Sequence, residues 1–380
     1  MVGRTLAFSA LIGIALVVGN AQALPNDPII ENYRAYTAAL QQGDMRGAEA
    51  PAEAALQASQ ARFGNGHRTP VLALNLARLR LGLGKARDAV EPATLAFEAA
   101  QQLGSESGVD PLMAEITLAR AELASVPGRG RDRMATPGSA HVLATLQAAA
   151  NRHDLDADAY AAATELGLWS LAAQRYDDMR TAYEAAIAHV AGAPRDIAVA
   201  RAVARIGVAT AIAIPGLMRR SGLSMNDAYQ ALTEAMTELW PIVQQESSSV
   251  DVTDADKAFA RALAWQSVIY GPAHRSGGYQ DVQNPQGGAC HYQLHGAGNL
   301  DHYYPQRALH RGESGVVVIR ATFDGTGKVL HAETVASAPD EDFSVAGQAV
   351  VQTLSIVRAA DAPPGCTLPR QRFIPVRFSA

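Results

Sequence analysis

Two histidines and a cysteine near the end of the chain have the residue types and spacing that a metal site would use. His291 and His295 lie four residues apart, and Cys290 directly precedes them. On a helix this spacing would bring both imidazoles to one face, where they could bind a metal together with the thiolate. The neighbouring glycines oppose a helix, and no Asp or Glu completes a metal-binding motif. We therefore expect a polar loop here and no metal site.

Catalytic motifs are absent from the sequence as a whole. It has no Gly-x-Ser-x-Gly elbow, no phosphate-binding Gly-Lys-Ser/Thr loop, no Cys-x-x-Cys pair and no His-Glu-x-x-His motif. The formal net charge of −5 provides no Lys/Arg surplus for nucleic-acid phosphates. We predict a protein that is not an enzyme, has no cofactor and does not bind nucleic acid. An enzyme or inhibitor within the helical part is a weaker alternative, because it would need a polar cleft that the sequence does not indicate.

The first residues have the three parts of a secretory signal. Arg4 supplies a positive charge, an apolar run covers 6–18, and Ala21-Gln22-Ala23 is a small-x-small cleavage site. The run is short for a membrane span. We predict a signal peptide at 1–23 and export to the periplasm, with an uncleaved inner-membrane anchor as the alternative. No later run is expected to span a membrane, so membrane contact would involve only this segment, if it is uncleaved.

The chain has two cysteines, Cys290 and Cys366. In an oxidising compartment a single pair favours a disulfide, which here would link the segment before the last domain to the loop before the last strand. Two separate buried thiols are the alternative.

Residues 24–270 are predicted to be helical, because they are rich in alanine and leucine and lack the alternation of strands. Similar residues, small in the first two copies, recur in them at steps of five and then seven. The three copies are Gly43, Ala48 and Ala55; Gly84, Ala89 and Ala96; and Gln174, Met179 and Ala186. The copy expected at 125–150 is interrupted by prolines and glycines.

These recurring residues resemble tetratricopeptide repeats, in which glycine occupies the turn between helices and alanine the packing face, although the period is longer than usual. The resemblance implies stacked helix pairs whose concave face binds a peptide or protein. An irregular helical bundle is the alternative. The glycine-rich and histidine-rich stretch 271–300 is predicted to be a linker.

After the linker, the pattern changes to that of strands. Val317, Ile319 and Phe323 belong to an alternating apolar series, which predicts a half-buried strand. The turn Asp324-Gly325-Thr326-Gly327 and a second strand at 328–335 complete a predicted hairpin.

A helix and a final strand are predicted next. The helix follows from an apolar stripe of Phe343, Ala346, Val350, Leu354 and Val357. The strand at 371–378 contains Pro375, which cannot donate a ladder hydrogen bond, so we expect the strand at a sheet edge.

The order of these elements resembles the C-terminal domain of the TonB energy transducers, over 301–380. The matching features are Tyr304-Pro305, Ala308, Gly312, Gly315, the turn 324–327, Val335 to Ser337, Ala346, Ala349 and Phe378. The resemblance implies a small α+β domain with a three-stranded antiparallel sheet, preceded here by an α-helical repeat. An unrelated small α+β domain is the alternative.

The resemblance also implies a function, namely binding of envelope partners by strand addition, with outer-membrane TonB-dependent transporters as possible partners. The implied partner-binding residues are those of the edge strand: Arg372, Phe373, Ile374, Val376, Arg377 and Phe378. Transducers of the family have a membrane anchor and a long Pro/Lys-rich spacer, whereas this chain has helical repeats in their place. A soluble periplasmic scaffold, not coupled to energy transduction, is therefore the alternative.

Overall fold

The structure is a computed structural model of the chain. It describes residues 27–66, 68–152, 156–190, 194–217, 225–246, 251–270, 292–296, 303–338, 343–358 and 366–378. The predicted signal peptide and most of the predicted linker lie outside these residues. The chain divides into two compact units, Met1–Ala193 and Pro194–Ala380. This division falls within the segment predicted as helical repeats, and the domain boundaries given above remain predictions.

The first unit is helical throughout its regular elements. Its helices are α1 (Pro28–Gln41), α2 (Met45–Phe63), α3 (Thr69–Gly82), α4 (Ala86–Leu103), α5 (Pro111–Ser125), α6 (Gly130–Met134), α7 (Pro137–Asn151), α8 (Ala157–Ala172) and α9 (Tyr176–Ala188), with a short 3-10 helix (Gly104–Ser107) after α4. The pairs α1/α2, α3/α4 and α8/α9 are helical hairpins, each with extensive contact between its two helices.

The same turn closes all three hairpins. Gly43, Gly84 and Gln174 have positive φ angles of 74°, 74° and 59°. The residue after each of them donates its N–H to a carbonyl five residues back, at 2.9, 2.8 and 2.9 Å. This is the Schellman arrangement that ends a helix with a left-handed residue. The recurrence predicted from the sequence is therefore a recurrence of backbone geometry, even where Gln174 replaces glycine.

The matched apolar residues after each turn are buried. Ala48, Ala89 and Met179 are 0%, 0% and 2% exposed, and Ala55, Ala96 and Ala186 are fully buried. The alanines let the second helix of the first two hairpins approach its neighbours closely, whereas in the third hairpin Met179 fills the first of the two positions. In the interrupted copy the short helix α6 lies between α5 and α7, where the prolines and glycines break the pattern.

The second unit has three long helices followed by a small α+β part. Its elements are α10 (Pro194–Leu217), α11 (Met225–Gln245), α12 (Asp254–Tyr270), β1 (Tyr292–His295), α13 (Gln306–Arg311), β2 (Gly315–Phe323), β3 (Val329–Ala338), α14 (Ser344–Gln352), β4 (Ser355–Arg358) and β5 (Gln371–Phe378). The fold class predicted from the sequence, a helical repeat followed by an α+β domain with a three-stranded antiparallel sheet, is confirmed.

The three-stranded sheet has the order β3-β2-β5, and both pairings are antiparallel. One face of β2 carries Val317, Ile319 and Phe323 and packs in a core with α14. The other face carries Val316 and Val318 and packs in a core with α10, α11 and α12. The prediction of a half-buried strand was therefore wrong, because α12 covers the face that was expected to meet solvent.

The predicted helix at the apolar stripe is shorter than expected. Helix α14 ends at Gln352, and residues 355–358 form β4, which pairs with β1. The N–H of Ile356 donates to the carbonyl of Gly327 at 2.8 Å, so β4 also contacts the hairpin turn. The β-branched residues Ile356 and Val357 suit a strand. A run this short fits the spacing of a helix and of a strand equally well, and the contact with the hairpin turn favours the strand.

Helix α10 is long and apolar enough to cross a membrane by length and composition, which the sequence analysis did not expect. It is the one such helix among the described residues, and 61% of its apolar window is buried inside the protein. Arg201 and Arg205 on α10 both pair with Glu238 of α11, at 2.8 and 2.6 Å. These contacts are those of a core helix that packs against α11.

Candidate functional site at the sheet edge

The residues that carry the C-terminal sequence pattern converge on an aromatic core beneath the sheet. The rings of Phe343 and Phe378 stack with centroids 5.1 Å apart, and Tyr304 meets both nearly at right angles, at 5.8 and 5.7 Å. The Tyr304 hydroxyl donates to the carbonyl of Glu313. Phe378 is the last residue of β5, so this cluster holds the end of that strand in place.

The turn between β2 and β3 is equally structural. Asp324 Oδ1 accepts hydrogen bonds from the Thr326 hydroxyl, the Thr326 N–H and the Lys328 N–H, at 2.7 to 2.9 Å. The bond from the Thr326 side chain is the main cause that lowers the pKa of Asp324 below its ordinary value. Gly327 has φ +85°, and a Cβ there would collide with the carbonyl of Ile356. The conspicuous residues of this turn thus stabilise the fold of the domain.

Strand β5 is the last strand on its side of the described sheet, as Pro375 predicted. Phe323 N–H donates to the carbonyl of Arg370 at 2.9 Å. Since antiparallel strands alternate the direction of their main-chain groups, Arg372, Ile374, Val376 and Phe378 point theirs toward β2. The main-chain groups of residues 371, 373, 375 and 377 therefore point away from β2. Gln371 and Arg377 are partly exposed, whereas Phe373 and Pro375 are buried, and this outward row is the candidate site.

The side chains of the six predicted partner-binding residues have other contacts. Ile374, Val376 and Phe378 belong to the core with α14. Phe373 lies 5.4 Å from the ring of Phe259 on α12. A partner of β5 would consequently have to use main-chain groups, whose hydrogen bonds do not depend on the side chains of the strand.

The two arginines of β5 also contact the protein itself. The guanidinium of Arg372 lies over the ring of Tyr292, 4.9 Å from its centroid, and burial lowers the pKa of Arg372. Arg377 donates to the carbonyl of Ser267 on α12 at 3.1 Å. Both arginines thus use their guanidinium groups in contacts within the protein.

The positions of the cysteines and histidines concern two predictions, the disulfide and the absence of a metal site. Cys290 and His291 lie outside the described residues, so the pairing of Cys290 with Cys366 stays a prediction. His295 is exposed on β1. Among the part of the chain that the structure describes, no group of three or more His, Cys, Asp or Glu side chains could hold a metal ion.

Sequence reasoning missed the contact between the sheet and the helical region. Arg320, in the middle of β2, lies on the strand face that the predicted half-buried strand would expose, yet it is 3% exposed. It contacts Asp256 of α12 and Glu333 of β3. One available signal was α12 itself, whose sequence Ala-Phe-Ala-Arg-Ala-Leu-Ala-Trp is apolar on almost every side, as in a helix covered by several neighbours.

Comparison with protein families agrees with this geometry. Residues 301–379, about a fifth of the chain, match the family described as the Gram-negative bacterial TonB protein C-terminal. This part of the chain is therefore a TonB C-terminal domain. The family is a non-enzymatic interaction domain of the cell envelope, so the protein carries an envelope protein-interaction domain behind a helical region. No curated protein sequence matches the chain.

Proposed function

We propose that this protein is exported to the periplasm and binds a partner protein by strand addition to β5. An extended segment of the partner would lie beside β5 and pair with its outward main-chain groups. The observation that carries the proposal is the register of β5, which directs the main-chain groups of alternate residues away from β2 at the end of the sheet. Outer-membrane TonB-dependent transporters are the partner class that the domain family suggests, which would relate the protein to transport across that membrane.

The main-chain character of the site supports this mode over side-chain recognition. Apolar side chains of β5 are buried in two cores, and Arg372 and Arg377 have intramolecular contacts. Strand addition needs only N–H and C=O groups, and these supply the attraction while side-chain pockets supply selectivity. An edge strand that keeps its side chains in the core can accept a partner strand without unfolding.

A second candidate is a soluble periplasmic scaffold in which the helical hairpins choose the client and the C-terminal domain only docks. The three identical Schellman turns favour it, because they indicate a regular array of the kind that binds peptides along one face. In this reading the signal at 1–23 is cleaved and no coupling to an inner-membrane motor exists.

Site-specific photo-crosslinking in the full-length chain tests the first proposal. A photoreactive amino acid at Gln371 lies at the start of β5, and the same group at Val345, which is 80% exposed on α14, is the matched control. We expect the Gln371 variant to crosslink to one extended segment of an outer-membrane protein in Gram-negative envelopes, and the control to give no such product. Equal products from both positions, or none from Gln371, would rule out β5 as the docking strand.

The mature N-terminus separates the two candidates. A chain that begins at Leu24 and is recovered with the soluble periplasm supports the scaffold. An intact Met1 in the inner-membrane fraction supports a transducer anchored by its N-terminal segment.

A further inference from the structure

Helix α12 is buried on nearly all sides within the second unit. From Asp254 to Gln266 only Asp254, Lys257 and Arg261 are exposed. These three positions follow at steps of three and four, so they form one narrow polar stripe. The remaining side chains pack against α10 and α11 and against the sheet. A helix with this pattern is a buried central helix, covered by neighbouring elements on most of its surface.

The apolar contact between α12 and the sheet is continuous with the core of the three helices. The ring of Phe259, which is fully buried, lies 5.5 Å from Trp240 of α11 and 5.4 Å from Phe373 of β5. Val316 and Val318 of β2 belong to the same cluster. One side chain of α12 thus joins the helical region to the edge strand, with no solvent layer between them.

A buried arginine fixes the first turn of α12 to the central strand. Arg320 donates to the carbonyl of Asp251 at 3.0 Å and contacts Asp256 Oδ2 at 3.5 Å and Glu333 Oε2 at 3.3 Å. Asp256 also accepts from the N–H of Thr253, whose hydroxyl accepts from the N–H of Asp256, which is a capping box. Removing one partner of a buried ion pair is strongly destabilising, because it leaves the other charge unpaired.

A second arginine contacts the other end of the same helix. The carbonyl of Ser267 is one of the last four of α12, which have no partner within the helix, and Arg377 of β5 donates to it at 3.1 Å. A cation at this end also interacts favourably with the helix dipole. Two neighbouring strands therefore hold α12 at its beginning and at its end.

We propose that α12, together with α10 and α11, is an integral part of the TonB C-terminal domain of this protein and opens only together with the sheet. The domain that works as one body would begin at Pro194, well before the family match at residue 301. The covered face of the sheet is closed to partner proteins, which leaves the strand edges as the route of access. This inference concerns the chain by itself and does not depend on the strand-addition proposal.

Native-state hydrogen exchange of the full chain at low urea concentrations tests the proposal without any mutation. We expect the amides of α12 (259–266) and β2 (316–321) to show the same opening free energy and the same urea dependence. The α8/α9 hairpin of the first unit serves as the internal control, with its own urea dependence. If α12 opens at lower urea and with a smaller slope while β2 stays protected, the proposal is wrong.

A matched pair of variants supplies an independent test. Arg320→Met removes the charge but keeps much of the side-chain volume, whereas Glu333→Gln leaves the Arg320–Asp256 contact in place. We expect Arg320→Met to speed exchange by at least about tenfold, by the same factor in α12 and β2, and Glu333→Gln to change both by much less. Faster exchange in only one of the two elements would overturn the proposal, and if Arg320→Met fails to fold, the unmutated exchange experiment decides.

Discussion

Pro375 has no N–H and so leaves a gap in the outward main-chain row of β5. Replacing it therefore tests directly whether β5 is the docking strand. Its register partner is Val318, and both point their main-chain groups away from each other. Pro375→Val would therefore add one N–H to the outer edge of β5 without touching the ladder to β2. Valine is β-branched and suits the strand backbone, and it fits a buried position of similar size.

The expected gain is one main-chain hydrogen bond to a partner strand. Such a bond contributes about 0.5–1.5 kcal/mol net, which corresponds to roughly two- to twelvefold in affinity. The substitution also increases the conformational entropy of the unfolded chain, which should lower the free energy of unfolding by about 0.4–1 kcal/mol. Partner affinity should thus rise while fold stability falls slightly, and a general structural defect would lower both.

The assay is fluorescence anisotropy with a labelled synthetic peptide of the segment crosslinked from Gln371, together with sedimentation of the protein alone. Pro369→Val makes the same chemical change in the segment just before β5 and is the control. We expect tighter peptide binding, or stronger self-association through the same edge, for Pro375→Val only. Unchanged or weaker affinity in a variant that stays folded would refute the assignment of β5 as the docking strand.

Three further predictions concern stability, each measured by urea denaturation. Gln174→Gly should stabilise the first unit by about 0.5–1 kcal/mol, because glycine adopts the left-handed conformation of this turn without the steric cost that glutamine has. Gly84→Ala should destabilise the same unit by about 1 kcal/mol for the opposite reason. Equal effects of the two substitutions would contradict the turn argument. Phe378→Ala should cost about 3–5 kcal/mol, since it removes a ring that is 2% exposed in the aromatic core, and a loss below about 1 kcal/mol would show that the strand end is not held there. Burial raises the pKa of Asp256 above its ordinary 3.8, so the folded state keeps a proton that the unfolded state loses. The free energy of unfolding should therefore fall as pH rises from 3.8 through the raised pKa. Asp256→Asn should remove this fall, and an unchanged pH profile in that variant would exclude Asp256 as its source.

Local chemistry explains the features that the sequence analysis predicted correctly. The hairpin at 324–327 follows from an aspartate and two glycines next to a β-branched run, and the edge position of β5 follows from Pro375. The repeated turns followed from residues at constant steps, with glycine at two of the three turns. Each depends on the conformational preferences of a few neighbouring residues, which do not need the rest of the fold.

Long-range contacts explain where the predictions were wrong or incomplete. Leu354 and Val357 fit a helical stripe, but the helix ends at Gln352, and pairing with β1, which is distant in the chain, makes residues 355–358 a strand. Gln174 has no intrinsic preference for φ 59°, and the hairpin contacts of α8 with α9 hold it there.

The sequence by itself determined the class of the elements, their order and the type of domain at the C-terminal end, because periodicity, turn residues and the proline in β5 act locally. Only the tertiary structure decided that Arg320 is buried, that α10 is a core helix and that α12 covers the second face of the sheet. An alternating strand looks the same whether its polar face meets water or a buried Asp256, and the difference depends on a helix about sixty residues earlier in the chain.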